Sequence, residues 1–183
     1  MFELTEPEVT GEVEFNGRSL RRAASHQCGS WIQDLVGDVP VWMVTITHAK
    51  LTTHPEFSAK VRRQWLHKLN KQIYGRHYDR AGEGLLSVFA FEWQKRGTVH
   101  QHGIVAGAPL SDLRRDLQSS LLAHQAQGFC KIELPRNRER SIRYCTKYIS
   151  KGGELDWWLP RALKFNLETA SVSPGYQREA VTG

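Results

Sequence analysis

The stretch Leu-Leu-Ser-Val-Phe-Ala-Phe-Glu-Trp-Gln-Lys-Arg-Gly-Thr-Val-His-Gln-His-Gly-Ile-Val, residues Leu85 to Val105, reads as a β-hairpin. Its arms, Leu85–Trp93 and Val99–Val105, are rich in β-branched and aromatic residues. Between them Lys95-Arg96-Gly97 makes a three-residue turn in which glycine supplies the left-handed position. That turn sets Glu92 directly across from His100. Residues two apart on a strand share a face, so His100 and His102 point the same way. Cross-strand neighbours have Cβ atoms about 5 Å apart. Two imidazoles and one carboxylate on one sheet face suit a three-ligand divalent site with positions open to substrate and water. Mixed nitrogen and oxygen ligands fit Mn2+ or Mg2+, and zinc also fits. A His-x-His pair without the carboxylate would be an ordinary surface pair, and a one-residue slip would turn Glu92 to the other face.

Upstream, Val39 to Thr47 reads as a strand with Pro40 near its start, where a missing donor matters least. Thr53-His-Pro-Glu56 looks like a helix start, with Thr53 as the cap and Pro55 in the first turn. Phe57, Val61, Trp65, Leu69 and Ile73 then recur every four residues, with Leu66 beside them, as the apolar face of a helix. Lys60, Arg62, Arg63, Lys68 and Lys71 are assigned to its solvent face. Downstream, Pro109 and Ser111 begin a second helix with Leu113, Leu117, Leu121 and Leu122 on its apolar side, ended by Gly128. Phe129 to Leu134 is a fourth strand. The order is β-α-β-β-α-β followed by one more helix. The expected fold is therefore α+β, a ferredoxin-like split βαβ domain with a central antiparallel sheet flanked by helices.

The last helix, from about Arg138 to Lys151 and stopped by Gly152-Gly153, carries Tyr144-Cys-Thr-Lys147-Tyr148-Ile-Ser-Lys151. At roughly 100° per residue, Tyr144, Lys147, Tyr148 and Lys151 fall within one arc. Ile142, Cys145 and Ile149 form a separate apolar stripe. One face can bury itself while the other presents two phenols and two ammonium groups, an arrangement suited to work on a phosphate. Packing tyrosines and solvated lysines are the ordinary explanation of such a face, and the metal-ligand pattern on the hairpin argues against it. A phenol, with a reference pKa of about 10, is a poor nucleophile at neutral pH. A divalent ion that polarises a phosphoryl oxygen, and a lysine that stabilises developing charge, supply what it lacks.

Composition bounds the reading. The 183 residues suffice for one domain with a proper core. No run approaches 18 apolar residues, so no membrane span is expected. The acidic start Met-Phe-Glu-Leu-Thr-Glu-Pro-Glu is not a signal peptide. Three widely spaced cysteines, Cys28, Cys130 and Cys145, argue for a reducing cytoplasm and against a disulfide framework or structural zinc. The net charge of +6 favours polyanionic partners without identifying one. Residues 1–38, with the basic cluster Arg18, Arg21 and Arg22 and a helix ending at Gly37, read as an N-terminal extension. Residues 39–155 read as the catalytic domain and 156–183 as a tail packing on it or trailing from it.

Three motifs in order give a family resemblance. Trp42–Thr47 resembles the first motif of the HUH endonucleases, Val99–Val105 their metal-binding motif, and Tyr144–Lys151 their two-tyrosine motif, including the lysine between the tyrosines. Over residues 39–155 the chain resembles the two-tyrosine rolling-circle replication initiators of the phage gene A type, whose fold has the order read above. The resemblance implies that His100 and His102, with Glu92, hold the divalent metal. Tyr144 and Tyr148 would be alternating nucleophiles on single-stranded DNA at a replication origin, as an open strand or a hairpin, leaving 5′-phosphotyrosine links. Lys147 and Lys151 would position the scissile phosphate. The setting would be the cytoplasm of a prokaryotic host of a phage or plasmid, with no membrane partner. No Gly-x-x-x-x-Gly-Lys-[Ser/Thr] occurs, so strand separation would fall to a host helicase and synthesis to a host polymerase, unless this is the nuclease part of a longer chain. His48 is expected to have a packing or surface role. The remaining alternatives are a relaxase or single-strand transposase of the same superfamily, a non-catalytic single-stranded nucleic-acid-binding module, and a basic adaptor for an acidic protein.

Overall fold

The computed structural model describes residues 17–49, 54–95, 97–147 and 155–163. The hairpin forms as read. Strand β2 (Leu86–Trp93) pairs antiparallel with β3 (Val99–Ala106), Glu92 stands opposite His100, and Gly97 has φ 76°. β3 pairs on its other side with β1 (Val41–His48), and β1 pairs with β4 (Gly128–Glu133). Helix α2 (Pro55–Tyr74) links β1 to β2, and α3 (Arg115–Ala126) links β3 to β4. The strand order β4-β1-β3-β2 is the expected split βαβ sheet, antiparallel throughout.

Two layers of core flank this sheet. Trp42, Val44, Ile46, Phe89 and Val105 pack on one face against Val61, Trp65 and Leu69 of α2 and Leu122 of α3. On the other face Val41, Leu86, Val88 and Ile104 pack against Ile142 and Cys145 of α4 (Arg138–Thr146). The same face takes Ile32, Leu35 and Val36 of α1 (Gly17–Val36), so this helix from the N-terminal extension is built into the core. Successive strand residues alternate between these layers, and that parity decides where each functional side chain goes.

The structure corrects several expectations. The strand begins at Val41, after Pro40. The residue capping α2 is His54, which makes no side-chain cap bond; Thr53 lies outside the described residues. Ala108–Asp112 is a separate 3-10 turn, and α3 begins at Arg115. Gln127, in the left-handed conformation, ends α3, and Gly128 opens β4. A side chain at Gly128 would collide with the Thr47 carbonyl. Leu113 and Leu121 pack partly against the core, but Leu117 and Phe57 are exposed.

Two corrections matter for function. Arg62, assigned to solvent, is buried, because the buried side of α2 also includes Ser58, Leu66 and Asn70 at helical spacing beside the apolar stripe. Leu155–Trp158, divided above between the domain and the tail, is a fifth strand, β5, on the edge of β2, so the sheet runs β4-β1-β3-β2-β5. Among the described residues no helix is long and apolar enough to cross a membrane.

Candidate active site

The site lies on the α1/α4 side of the sheet. Thr45 and Thr47 of β1 are paired with His102 and His100 of β3, and Glu92 of β2 with His100. These five side chains therefore share one face. Thr45 Oγ1 lies 3.4 Å from His102 Nδ1, and Thr47 Oγ1 lies 3.5 Å from His100 Nδ1. The Gln94 side-chain amide lies 3.0 Å from the same His100 Nδ1. Partners at Nδ1 fix ring orientation and tautomer, and a neutral ring donating from Nδ1 leaves Nε2 as its lone-pair ligand. For His100 that tautomer requires the Gln94 amide to present its oxygen, a half-turn that leaves its shape unchanged.

His102 Nε2 stands 3.3 Å from Glu92 Oε2. Two donors each about 2.1 Å from one ion stand roughly 3.0–3.4 Å apart in octahedral or tetrahedral geometry. That pair therefore fits one ion. The His100 and His102 rings are 6.2 Å apart, centroid to centroid. Rings that ligate the same ion stand about 5 Å apart, about 1 Å closer than these two. Among the described residues no three His, Cys, Asp or Glu side chains are already gathered as a closed metal centre. The donor set, two imidazoles and a carboxylate, suits manganese, magnesium or zinc.

Above the histidines stands Tyr144. Asn137 caps α4, its side chain accepting from Arg140 N at 2.8 Å. Ile142 and Cys145 turn the helix's apolar stripe into the core. At the helix's far end Ser25 of α1 donates to the Thr146 carbonyl at 2.7 Å. Held this way, the Tyr144 ring meets His102 edge-on, 5.6 Å between centroids at 90°. The Lys147 ammonium nitrogen lies 3.4 Å from the centre of the Tyr144 ring. Tyr144 is 38% exposed. Glu92, His100, His102, Tyr144 and Lys147 are thus brought together. Tyr148 and Lys151 lie outside the described residues.

Parity sends His48 and Gln101 to the opposite, α2/α3 face. His48 Nδ1 lies 3.3 Å from the Ala126 carbonyl, which can only accept, so Nδ1 carries the proton and Nε2 accepts from Ser58 Oγ at 2.7 Å. Ser58 accepts in turn from Gln101 Nε2. Arg62 Nη1 donates to Gln101 Oε1 at 2.7 Å, and Arg62 also pairs with Asp156 of β5. A chain of donors thus runs from Arg62 through Gln101 and Ser58 to His48, under the strand that carries both candidate ligands. Burial lowers the His48 pKa, against a smaller raising effect from the Ala126 carbonyl, and burial also lowers that of Arg62 against the pull of Asp156. His48 is therefore a packing residue, as read.

Sequence reasoning missed Thr45, Thr47 and Gln94, although the two threonines share a parity in β1 that matches the two histidines. The cysteines stand outside the chemistry. Burial pushes the Cys145 thiol up to about 12 and the Cys130 thiol up to about 11, and all three are free.

Residues 41–153 match the family model for the replication-associated proteins of the ORF2 and gene 2 protein type. No curated protein and no solved structure matches the chain.

Proposed function

Because the chain belongs to this family of replication-associated proteins, the ORF2 and gene 2 protein type, we propose that it initiates rolling-circle replication by cutting and rejoining single-stranded DNA through a tyrosine. The observation that carries this reading is the Tyr144 ring standing edge-on over His102, whose Nε2 faces the Glu92 carboxylate. On this reading the phenol would be the nucleophile, the Lys147 ammonium the cation beside it, and Glu92, His100 and His102 the metal-ligand set around one phosphodiester.

In the proposed reaction the Tyr144 phenolic oxygen gives up its proton and attacks phosphorus. The bond from phosphorus to the 3′-oxygen breaks, and that oxygen leaves as a 3′-hydroxyl after taking up a proton. The 5′ end remains on the tyrosine as a phosphodiester, one P–O ester bond having replaced another, which allows a later 3′-hydroxyl to reverse the step. Glu92, His100 and His102 would hold a divalent ion, which when bound polarises a phosphoryl oxygen. Lys147, already over the phenol ring, neutralises charge developing on the phosphoryl group and the attacking oxygen. Tyr148 would supply the second nucleophile, cutting the regenerated origin after one round, and Lys151 would assist there. Thr45, Thr47 and Gln94 orient the imidazoles.

The test is a denaturing gel of the protein with labelled single-stranded origin DNA, with manganese and with EDTA. Wild type, Tyr144→Phe, Tyr148→Phe and the double variant are run side by side. A metal-dependent covalent adduct that survives either single change but not both supports two alternating nucleophiles. Loss with one single change alone points to a one-tyrosine nickase, transposase or relaxase. No adduct in any lane despite intact binding points to a module that binds strands without cutting them.

A further inference from the structure

On the face of the sheet opposite Tyr144, a cavity of about 290 Å³ opens between α2 and β5. Its walls include Tyr78 and Trp158, whose rings meet edge-on at 6.4 Å, and its rim carries Arg63 and His67 of α2. From these groups we infer that the cavity is a second DNA contact, which takes one unstacked nucleobase of the single strand and holds the adjoining phosphate at Arg63. The inference rests on the proposed action on single-stranded DNA, which supplies the ligand.

Trp158 is built into its place. Its six-membered ring lies close against Gly84, where any Cβ would collide with it, and Gly84 has φ 145°. Tyr78 is fixed by His67, whose Nδ1 is 2.9 Å from the phenol oxygen. Asn70 accepts from Leu85 N at 2.9 Å through Oδ1, and its side chain also hydrogen-bonds Tyr78, which steadies that wall. Arg63 is exposed at 61% and touches Asp156 at 3.5 Å, while Arg62 already pairs with that carboxylate from below. Two guanidiniums against one carboxylate leave a positive charge at the mouth. The volume falls near the lower limit of small-molecule sites, roughly 300–1,000 Å³, which fits a base and its sugar and excludes a duplex. Aromatic walls with a cation at the rim are what a single strand uses when its bases stack on a protein.

The placement also gives a path. β5 is two strand spacings, about 10 Å, from the histidine strand. Adjacent residues of β5 face opposite ways: Trp157 is paired with Val88 on the Tyr144 side, is 54% exposed and meets Trp31 at 6.2 Å, while Trp158 is paired with Ser87 on the cavity side. A strand leaving the candidate active site can pass Trp157, round the edge of β5 and place a base at Trp158.

The experiment measures anisotropy of two fluorescein-labelled single strands of equal length, oligo-dT and a fully abasic strand, with the full chain and with Trp158→Leu and Arg63→Gln. Melting curves establish that each variant is folded. Trp158→Leu is expected to weaken oligo-dT binding roughly tenfold and to leave the abasic strand unaffected, because a stacked base contributes about 1–3 kcal/mol. Arg63→Gln is expected to weaken both strands alike and to flatten the salt dependence. Equal losses on both strands with Trp158→Leu, or no loss on either, overturn the inference. Wild-type adduct formation on origin DNA is scored separately: an adduct with no Trp158 effect removes the cavity assignment alone, whereas no strand binding at all removes both.

Discussion

The Glu92 carboxylate reaches past its backbone partner. Across the β2–β3 ladder Glu92 is paired with His100, yet its Oε2 lies 3.3 Å from His102 Nε2. Glu92 therefore spans the two histidines and can serve with either. Substitution of either imidazole is expected to abolish adduct formation while sparing much of the DNA affinity, which depends on basic residues at phosphates. Glu92→Gln keeps the shape and removes the charge. Outer-shell partners alone are worth roughly 10–100-fold in metal affinity, so this change should raise the manganese requirement by at least that range. A manganese titration of adduct yield for wild type, Glu92→Gln and His102→Ala checks it. Nicking by a His100→Ala, His102→Ala double variant would show that the metal assignment is wrong.

In the proposed reaction Lys147 acts on the phenol rather than holding the fold together. Its ammonium sits over the Tyr144 ring at 3.4 Å, at a partly exposed position. Lys147→Gln should slow single-turnover adduct formation roughly 100-fold, the scale seen when one group stabilising transition-state charge is removed. Its melting point should hardly move, since an exposed cation–π contact contributes about 0.5–1 kcal/mol. Lys147→Arg should recover most of the rate. A variant that melts early but cleaves at the normal rate would reassign Lys147 to packing.

The hairpin, its register and the parity of the two histidines were legible because a short glycine turn leaves few ways to pair the flanking strands. The α2 stripe Val61, Trp65 and Leu69 and the α4 stripe Ile142 and Cys145 were legible from helical period alone. Arg62 was not, because a basic residue among Lys60, Arg63 and Lys68 looks solvated unless its buried partners are known. Those partners, Gln101 and Asp156, lie 39 and 94 residues away in the chain. A signal was present: Gln101 is a polar residue at a core parity, which requires a partner somewhere. β5 was missed because four residues after a glycine pair carry too little pattern to distinguish a strand from a tail. The threonines beneath the histidines require the β1–β3 register, which no local turn specifies.

The buried pair makes a stability prediction. Arg62 is 3% exposed at its side chain and Asp156 35%. Arg62→Met strands Gln101 Oε1 in the core and leaves Asp156 to solvent and Arg63. Breaking a buried ion pair from one side costs about 3–5 kcal/mol, and the partial exposure of Asp156 places this case near the lower figure. Urea unfolding should show that loss for Arg62→Met, against a change within about 0.5 kcal/mol for the neighbouring Arg63→Met. Equal effects would mean that Arg62 is as solvated as the helix period alone suggests.

His48 gives the fold a pH dependence of known sign. Its folded pKa is lowered, chiefly by burial, from the ordinary 6.5. Well above 6.5 the ring is neutral in both states and imposes no penalty. As pH falls through 6.5 the unfolded chain binds a proton that folded His48 resists, so stability declines until the folded pKa is reached and then levels. Protonation would put a second donor at Nε2 against the Ser58 hydroxyl, which now donates there and accepts from Gln101. The urea midpoint should therefore fall between pH 7.5 and 5.5 more steeply for wild type than for His48→Gln, in which carboxylates and the other histidines titrate as before. Parallel slopes would show that His48 titrates alike in the folded and unfolded chains, and that the donor chain from Arg62 does not depend on a neutral imidazole at its end.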